Sequence, residues 1–159
     1  MHYAFIIRQA AIEDAEAVYE ILQSSFREYC ITAGIEKADA LTETVEDIRK
    51  QILSNTVYIA EVDKKTIGTL RLTINGEEAY LSRFAVDKNC RNNGVGETLM
   101  AVAEKYLISM GVRRIVLHTA SRHTSLMRFY LGRGFYVEAI ETDRGYLRAR
   151  LVKELHPGN

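Results

Sequence analysis

Arg91-Asn92-Asn93-Gly94-Val95-Gly96 joins an apolar run, Tyr80-Leu81-Ser82-Arg83-Phe84-Ala85-Val86, to a stretch from Glu97 to Met110 whose apolar residues recur at helical spacing. An arginine and two glycines at a helix start leave backbone N–H groups unpaired at the electropositive end of the helix, and glycine lets the main chain approach a ligand closely. These are the requirements of a phosphate-bearing ligand. The strand–loop–helix order also starts the assignment of the fold.

Two familiar phosphate motifs fail on chemistry. A P-loop needs Lys-Ser/Thr after its last glycine, whereas Gly96 is followed by Glu97-Thr98. The dinucleotide fingerprint G-x-G-x-x-G lacks its third glycine, because Leu99 stands there. What remains is R-x-x-G-x-G opening a helix, whose alternative reading is a flexible or helix-capping loop. The motif resembles the acyl-CoA pyrophosphate loop of the GNAT superfamily of N-acyltransferases, Gln/Arg-x-x-Gly-x-Gly/Ala after a strand ending Val-Asp/His-Pro. Here that strand ends Val86-Asp87-Lys88, with lysine in place of the proline.

At 159 residues the chain is expected to be one domain, 1–159, large enough to bury a sizeable core. Its 21 basic and 21 acidic side chains give a formal net charge of zero, which argues against a general nucleic-acid or anionic-membrane binder. Cys30 and Cys90 are isolated, so neither a disulfide scaffold nor a structural zinc site is expected. Isolated thiols, an N-terminus too quickly charged for a signal peptide and no window of ~20 apolar residues lead to an expected cytoplasmic location. The four histidines show no metal spacing.

Tyr3 to Arg8 reads as a first strand. Ile12, Ala15, Val18, Tyr19, Leu22 and Phe26 then mark an amphipathic helix. Tyr29 to Ala40 breaks that rhythm and reads as a loop; Thr42 is the expected N-cap of a second helix with Val45, Ile48, Ile52 and Leu53 on its apolar face. From Thr56 the period shortens to that of strands, with a turn at Asp63-Lys64-Lys65 and a type I′ hairpin expected at Asn75-Gly76. After the glycine loop, Leu99, Val102, Tyr106 and Met110 mark a buried helix face ended by Gly111. Arg114 to Thr119 is a buried strand, parallel to the one before because a helix connects them. Ser121 to Leu131 is a short helix, and Gly134–Glu141 and Tyr146–Glu154 complete the chain. The expected class is a mixed α/β sheet of about seven strands with about four helices.

A second segment, His123-Thr124-Ser125-Leu126-Met127-Arg128-Phe129-Tyr130-Leu131-Gly132-Arg133-Gly134-Phe135, resembles the other GNAT signature, Asn-x-x-Ala-x-x-Leu/Phe-Tyr-x-x-x-Gly-Phe. His123 stands where the family commonly has asparagine. The two signatures occur in the family's order, and the resemblance spans essentially the whole chain. It implies attack of a primary amine, on an unidentified small molecule or peptide, on the thioester of acetyl-CoA as co-substrate. By the same resemblance Phe84, Ala85 and Val86 supply main-chain contacts to the pantetheine. Arg91 and the N–H groups of Asn92, Asn93, Gly94, Val95, Gly96 and Glu97 hold the pyrophosphate.

Tyr130 matches the tyrosine that in many members protonates the departing thiolate; the alternative is a helix tyrosine packed on the sheet. His123 is expected to bond the pantetheine or to cap its helix. The family's strand carboxylate is missing, because Tyr80 stands in its place, and no general base is assigned. His118 reads as a satisfied core histidine. Glu28 and Tyr29 lie where relatives build the acceptor wall. Glu36, Asp39, Glu43 and Glu46 read as a solvated loop and first turn, or else as an acidic rim for a cationic amine. Relatives often pair as homodimers, which makes a dimer an expectation with no surface attached to it. Rival readings are a non-catalytic acyl-CoA-binding sensor of the same fold and a nucleotide-phosphate binder; the absent P-loop lysine argues against the second.

Overall fold

The computed structural model describes residues 4–156. Strand β1 (Ile6–Gln9) is followed by α1 (Ala15–Ala33), α2 (Val45–Ser54), β2 (Thr56–Val62), β3 (Lys65–Asn75) and β4 (Glu78–Val86). Next come α3 (Val95–Ser109), β5 (Arg114–Ala120), α4 (Thr124–Gly132), β6 (Tyr136–Glu141) and β7 (Arg148–Glu154). The strands form one seven-stranded sheet in the order β1-β2-β3-β4-β5-β7-β6. Every neighbouring pair is antiparallel except β4 and β5, which are parallel as the intervening α3 requires.

Both faces of the sheet are covered, which is why its central strands are apolar on both sides. Val18, Ile21 and Leu22 of α1 and Ile48 of α2 pack on Ile59 and Ala85. On the opposite face Leu99, Met100, Ala103 and Leu107 of α3 pack with Tyr58, Leu70 and Leu72. This second contact needs Gly68 on β3. A Cβ there would stand 2.9 Å from Leu99 Cδ1 and 3.1 Å from Val95 Cγ1.

Several sequence expectations shift, each for a local reason. The first helix does not stop before Tyr29: it runs to Ala33, because Cys30 and Ala33 continue the buried stripe, and Gly34 then ends it at φ +69°. The N-cap of α2 is Thr44 rather than Thr42. Thr44 Oγ1 accepts from Asp47 N at 3.1 Å while Thr44 N donates to Asp47 Oδ2 at 2.9 Å, a reciprocal closure that Val45 cannot give Thr42. Leu53 and Met110 are exposed rather than on buried helix faces. At the β3–β4 hairpin Gly76 has φ +64° while Asn75 stays extended within β3, which is the II′ pattern. Positive φ at two successive residues occurs instead at Asp63 and Lys64, between β2 and β3. Tyr3 lies outside the described residues.

Candidate active site

The cleft originates where two strands part. β4 pairs with β5 only from Glu78 to Tyr80, opposite Arg114 to Val116. Beyond that rung β4 stays with β3 and β5 stays with β7, so the parallel pair opens into a V. The opening is enforced by a bulge: Arg83 and Phe84 both lie opposite Leu70, between the pairs Arg71↔Ser82 and Thr69↔Ala85. Arg83 has φ +55°, a left-handed conformation that a side-chain-bearing residue holds only when other contacts compensate. One compensation is its bond from Nε to Glu43 Oε1 at 3.1 Å. The cleft has a volume of about 650 Å³ and is walled by Ser82 to Val86 on one side and Leu117 to Thr119 on the other.

At one end of this cleft lies the glycine loop. Gly94 caps α3 with φ +81°, and Asn92 has φ +66°. None of the backbone N–H groups from Arg91 to Glu97 donates to an acceptor among the described residues. A row of free donors therefore faces the cleft mouth at a helix N-terminus. Gly96 has a packing role too, since a Cβ there would lie 3.1 Å from Phe84 Cζ. The Arg91 guanidinium is already engaged: its Nε donates to Val86 O at 3.1 Å and its Nη1 to the Glu28 carboxylate on α1. Of the three β4 residues predicted to contact pantetheine, Ala85 and Val86 pair with Thr69 and Gly68 on the β3 side, and Phe84 lies in the bulge without a partner.

Tyr130 on α4 is 4% exposed, lies at the cleft wall and is boxed in by Phe84, Phe129 and Phe135 at centroid distances of 6.1, 5.5 and 5.6 Å. Burial, with minor contributions from Tyr29 and Tyr80, pushes its phenol well above the ordinary tyrosine range. The phenol is therefore held protonated. His123 is the N-cap of α4: its Nδ1 accepts from Leu126 N at 3.4 Å, and its ring stacks on Tyr29 at 5.2 Å. Burial lowers its pKa, so the ring favours the neutral form that a cap acceptor needs. Tyr29 in turn accepts from Ala120 N at 2.7 Å, tying α1 to the end of β5. The helical extension of α1 past Phe26 makes that tie.

Charged and polar groups line the end away from the loop. Arg71 lies on the wall, 6% exposed, and its fork donates to Glu43 at 2.8 and 3.0 Å. Burial alone would raise the Glu43 carboxyl, but the hydrogen bonds and charges of Arg71 and Arg83 outweigh it and hold it below the ordinary carboxylate range. Asp39 pairs with Arg144 at 2.6 Å and Glu46 with Arg49 at 3.3 Å, while Glu36 is exposed. Three of the four acidic side chains are thus paired with arginines, and the segment is not an open acidic rim. His118 is not enclosed in apolar core: it faces the cleft, 2.6 Å from Tyr80 Oη through Nδ1 and 2.9 Å from Glu141 through Nε2.

A bulged strand, a splayed parallel pair and a glycine loop opening α3 define the architecture, and the sequence profile of the "Acetyltransferase (GNAT) family" matches residues 15–135. The chain belongs to the GNAT acetyltransferase family. Among GNAT relatives, it is 26% identical over 131 residues to an uncharacterised N-acetyltransferase of Methanocaldococcus jannaschii, covering 82% of this chain and 77% of that one. It is 27% identical over 142 residues to a spermidine N(1)-acetyltransferase of Thermoplasma acidophilum, covering 83% and 88%. The PaiA N-acetyltransferase of Thermoplasma acidophilum, crystallised with coenzyme A, superposes with a TM-score of 0.84 at 23% identity, over 95% of this chain and 99% of that one. That likeness shows the GNAT fold. The chain is thus an acyltransferase by family.

Within this GNAT chain, the residues the sequence reading missed are those brought together by strand neighbours far apart in sequence. Glu43 meets Arg71 and Arg83, and Glu141 meets His118, with no spacing motif to announce either contact. No group of three or more His, Cys, Asp and Glu side chains among the described residues is placed to hold a metal ion. No helix among them is long and apolar enough to cross a membrane.

Proposed function

We propose that the chain, as one N-acetyltransferase domain over residues 1–159, transfers the acetyl group of acetyl-CoA to a primary amine of a small molecule or peptide. The observation that carries the proposal is Tyr130: a buried phenol, held protonated, at the wall of a cleft whose far end is a row of free backbone donors. The donor-side residues suit the chemistry of a CoA diphosphate. The N–H groups of Asn92 to Glu97 bind its oxygens, and Arg91 adds a guanidinium once it leaves Glu28. The unpaired edge of β4 at Phe84 to Val86, facing the splay, offers main-chain groups to the amide-bearing pantetheine arm. His123 keeps Nε2 for the same ligand while Nδ1 caps α4. CoA crystallised with PaiA and the spermidine acetyltransferase activity named for the Thermoplasma relative support this reading.

Acetyl-CoA supplies an activated thioester carbon and a thiol leaving group. Tyr130 gives its proton to the departing sulfur, a step that low polarity favours because thiolate is poorly solvated there. CoA release followed by thiol titration over a panel of amines (spermidine, amino acids, lysine peptides) tests the activity. Tyr130→Phe is expected to lower kcat by ~10²-fold or more, the usual range for a lost general acid, with the acetyl-CoA KM little changed. Unaltered turnover removes Tyr130 from the mechanism. CoA binding without release on any amine from the wild-type chain leaves a non-catalytic acyl-CoA-binding module instead.

A further inference from the structure

An attacking amine must lose a proton, and the arrangement around Tyr130 gives that proton no destination. Tyr80 is the last residue of β4 paired with β5, at the point where the V begins. Its hydroxyl lies 2.6 Å from His118 Nδ1, and His118 Nε2 lies 2.9 and 3.1 Å from the two oxygens of Glu141. Tyr80 and His118 both wall the cleft, so the end of this chain of bonds is open to a substrate. Glu141 is on β6, separated from β5 by β7, and it reaches the imidazole diagonally across that strand. Arg148 Nη2 also lies 3.6 Å from Glu141 Oε1, the oxygen nearest the imidazole.

The direction of the bonds follows from donor inventory. An ionised carboxylate only accepts, so Nε2 carries the hydrogen that Glu141 binds. With Nε2–H so placed, the neutral ring presents its Nδ1 lone pair to Tyr80, whose O–H donates to it. Burial raises the Tyr80 phenol above its ordinary range, with Arg148, Arg150 and Arg83 opposing and Glu141 adding to the rise. Phenolate is therefore not the resting form, and a proton can enter at Tyr80 only as another leaves toward His118.

We propose that Tyr80, His118 and Glu141 form the proton relay that generates the nucleophilic amine, an inference that rests on the acetyl-transfer reading above. An acceptor ammonium gives one proton to Tyr80 Oη while the phenol's own proton passes to His118 Nδ1, and Glu141 holds the imidazolium that results. The neutral nitrogen bonds to the thioester carbon and the C–S bond breaks. Tyr130 protonates the sulfur, and the second nitrogen proton restores the Tyr130 phenol by way of solvent. His118 then returns its proton to solvent, so one turnover releases one proton for each ammonium consumed. Tyr80 is catalytic in this scheme; His118 and Glu141 act through it and are positioning residues. The relay takes the place of the strand carboxylate for which this chain has Tyr80.

Other charges face these groups: Arg83 on β4, Arg71 with Glu43, Arg148 and Arg150 on β7, and Asp143, Arg144 and Tyr146 in the β6–β7 connection. Tyr29 on α1 and His123 and Tyr130 on α4 complete the wall. Between about pH 6 and 9 ordinary arginines, carboxylates and phenols keep their charge states. Changes in rate over that window report the relay, the acceptor amine and His123.

The test is kcat, measured from CoA release over about pH 6 to 10, for the wild-type chain, Tyr80→Phe and Glu141→Gln. Both variants are expected to lose ~10²-fold near pH 7, the usual contribution of a general base, at unchanged acetyl-CoA KM. The loss shrinks as the pH approaches the acceptor's own pKa and the amine arrives neutral. Equal loss at every pH in both variants is a packing effect and overturns the relay while leaving acetyl transfer intact. No CoA release from the wild-type chain on any amine overturns the transfer reading and the relay with it. Nitrogen-15 NMR of His118 in the wild-type chain, assigned by comparison with His118→Gln, gives a check independent of turnover. The Nε2–H tautomer with an unprotonated Nδ1 at pH 8 is expected, and the Nδ1–H tautomer overturns the proposal.

Discussion

Replacing Glu43 by glutamine isolates the ion cluster that braces the bulge. Glu43 accepts from both ends of the Arg71 fork, at 2.8 and 3.0 Å, and from Arg83 Nε at 3.1 Å. A glutamine keeps one acceptor oxygen and turns an amide N–H₂ toward guanidinium donors. At least one arm of Arg71 is then unpaired in a place where the side chain is only 7% exposed. Removing one partner of a buried ion pair costs ~3–5 kcal/mol; because Arg83 and Glu43 retain some access to water, the expected loss here is about 2–4 kcal/mol. For a domain of this size that corresponds to a Tm lower by roughly 6–12 °C. Urea denaturation followed by circular dichroism should show a lower midpoint at an unchanged slope.

The pH dependence gives the same cluster a sign. The folded-state pKa of Glu43 lies below its ordinary 4.5, so its ionisation stabilises the native state above that value and the contribution is lost as pH falls through the folded pKa. Wild type and Glu43→Gln should therefore converge in acid and differ fully at neutral pH. A double replacement by apolar residues, Glu43→Leu with Arg71→Met, is expected to recover part of the loss, because desolvating the pair was itself costly. A single-variant loss under ~1 kcal/mol, the range of a surface pair, or a gap that stays constant into acid, would show that Glu43 does not brace the bulge.

Gly68→Ala inserts a methyl group 2.9 Å from Leu99 Cδ1 and 3.1 Å from Val95 Cγ1, both fully buried, so overpacking of about 1–3 kcal/mol is expected in chemical denaturation. Stability equal to wild type would mean that α3 lifts from the sheet without cost. Glu28→Gln frees Arg91 from its ion pair and should lower the Kd for CoA measured by calorimetry, an effect that fades at high salt; weaker binding instead would show that Glu28 orients Arg91 for the ligand.

The two GNAT signatures were legible because each is local. Gly94 at φ +81° and Gly96 against Phe84 are demands of one loop on its own backbone and nearest packing, and they leave a mark at fixed spacing. The strand periods, the N–H row before α3 and the Tyr130 slot follow likewise from runs of a dozen residues or fewer. Where local signals competed, the reading slipped: the buried stripe of α1 continues through Cys30 and Ala33 although the apolar Ile31 beside them is exposed, and Thr42 and Thr44 both resemble caps until Asp47 decides.

The amino-acid order alone therefore settles the elements, their sequence and the family, since periodicity, caps and glycine positions are short-range physics. Tertiary structure alone decides which distant side chains meet. The bulge opposite Leu70 parts β4 from β5, and only that opening lets Tyr80, His118 and Glu141, carried by three different strands, share one line of hydrogen bonds. A sheet brings such residues together through strand order and register, which are properties of the whole packed layer and leave no spacing along the chain.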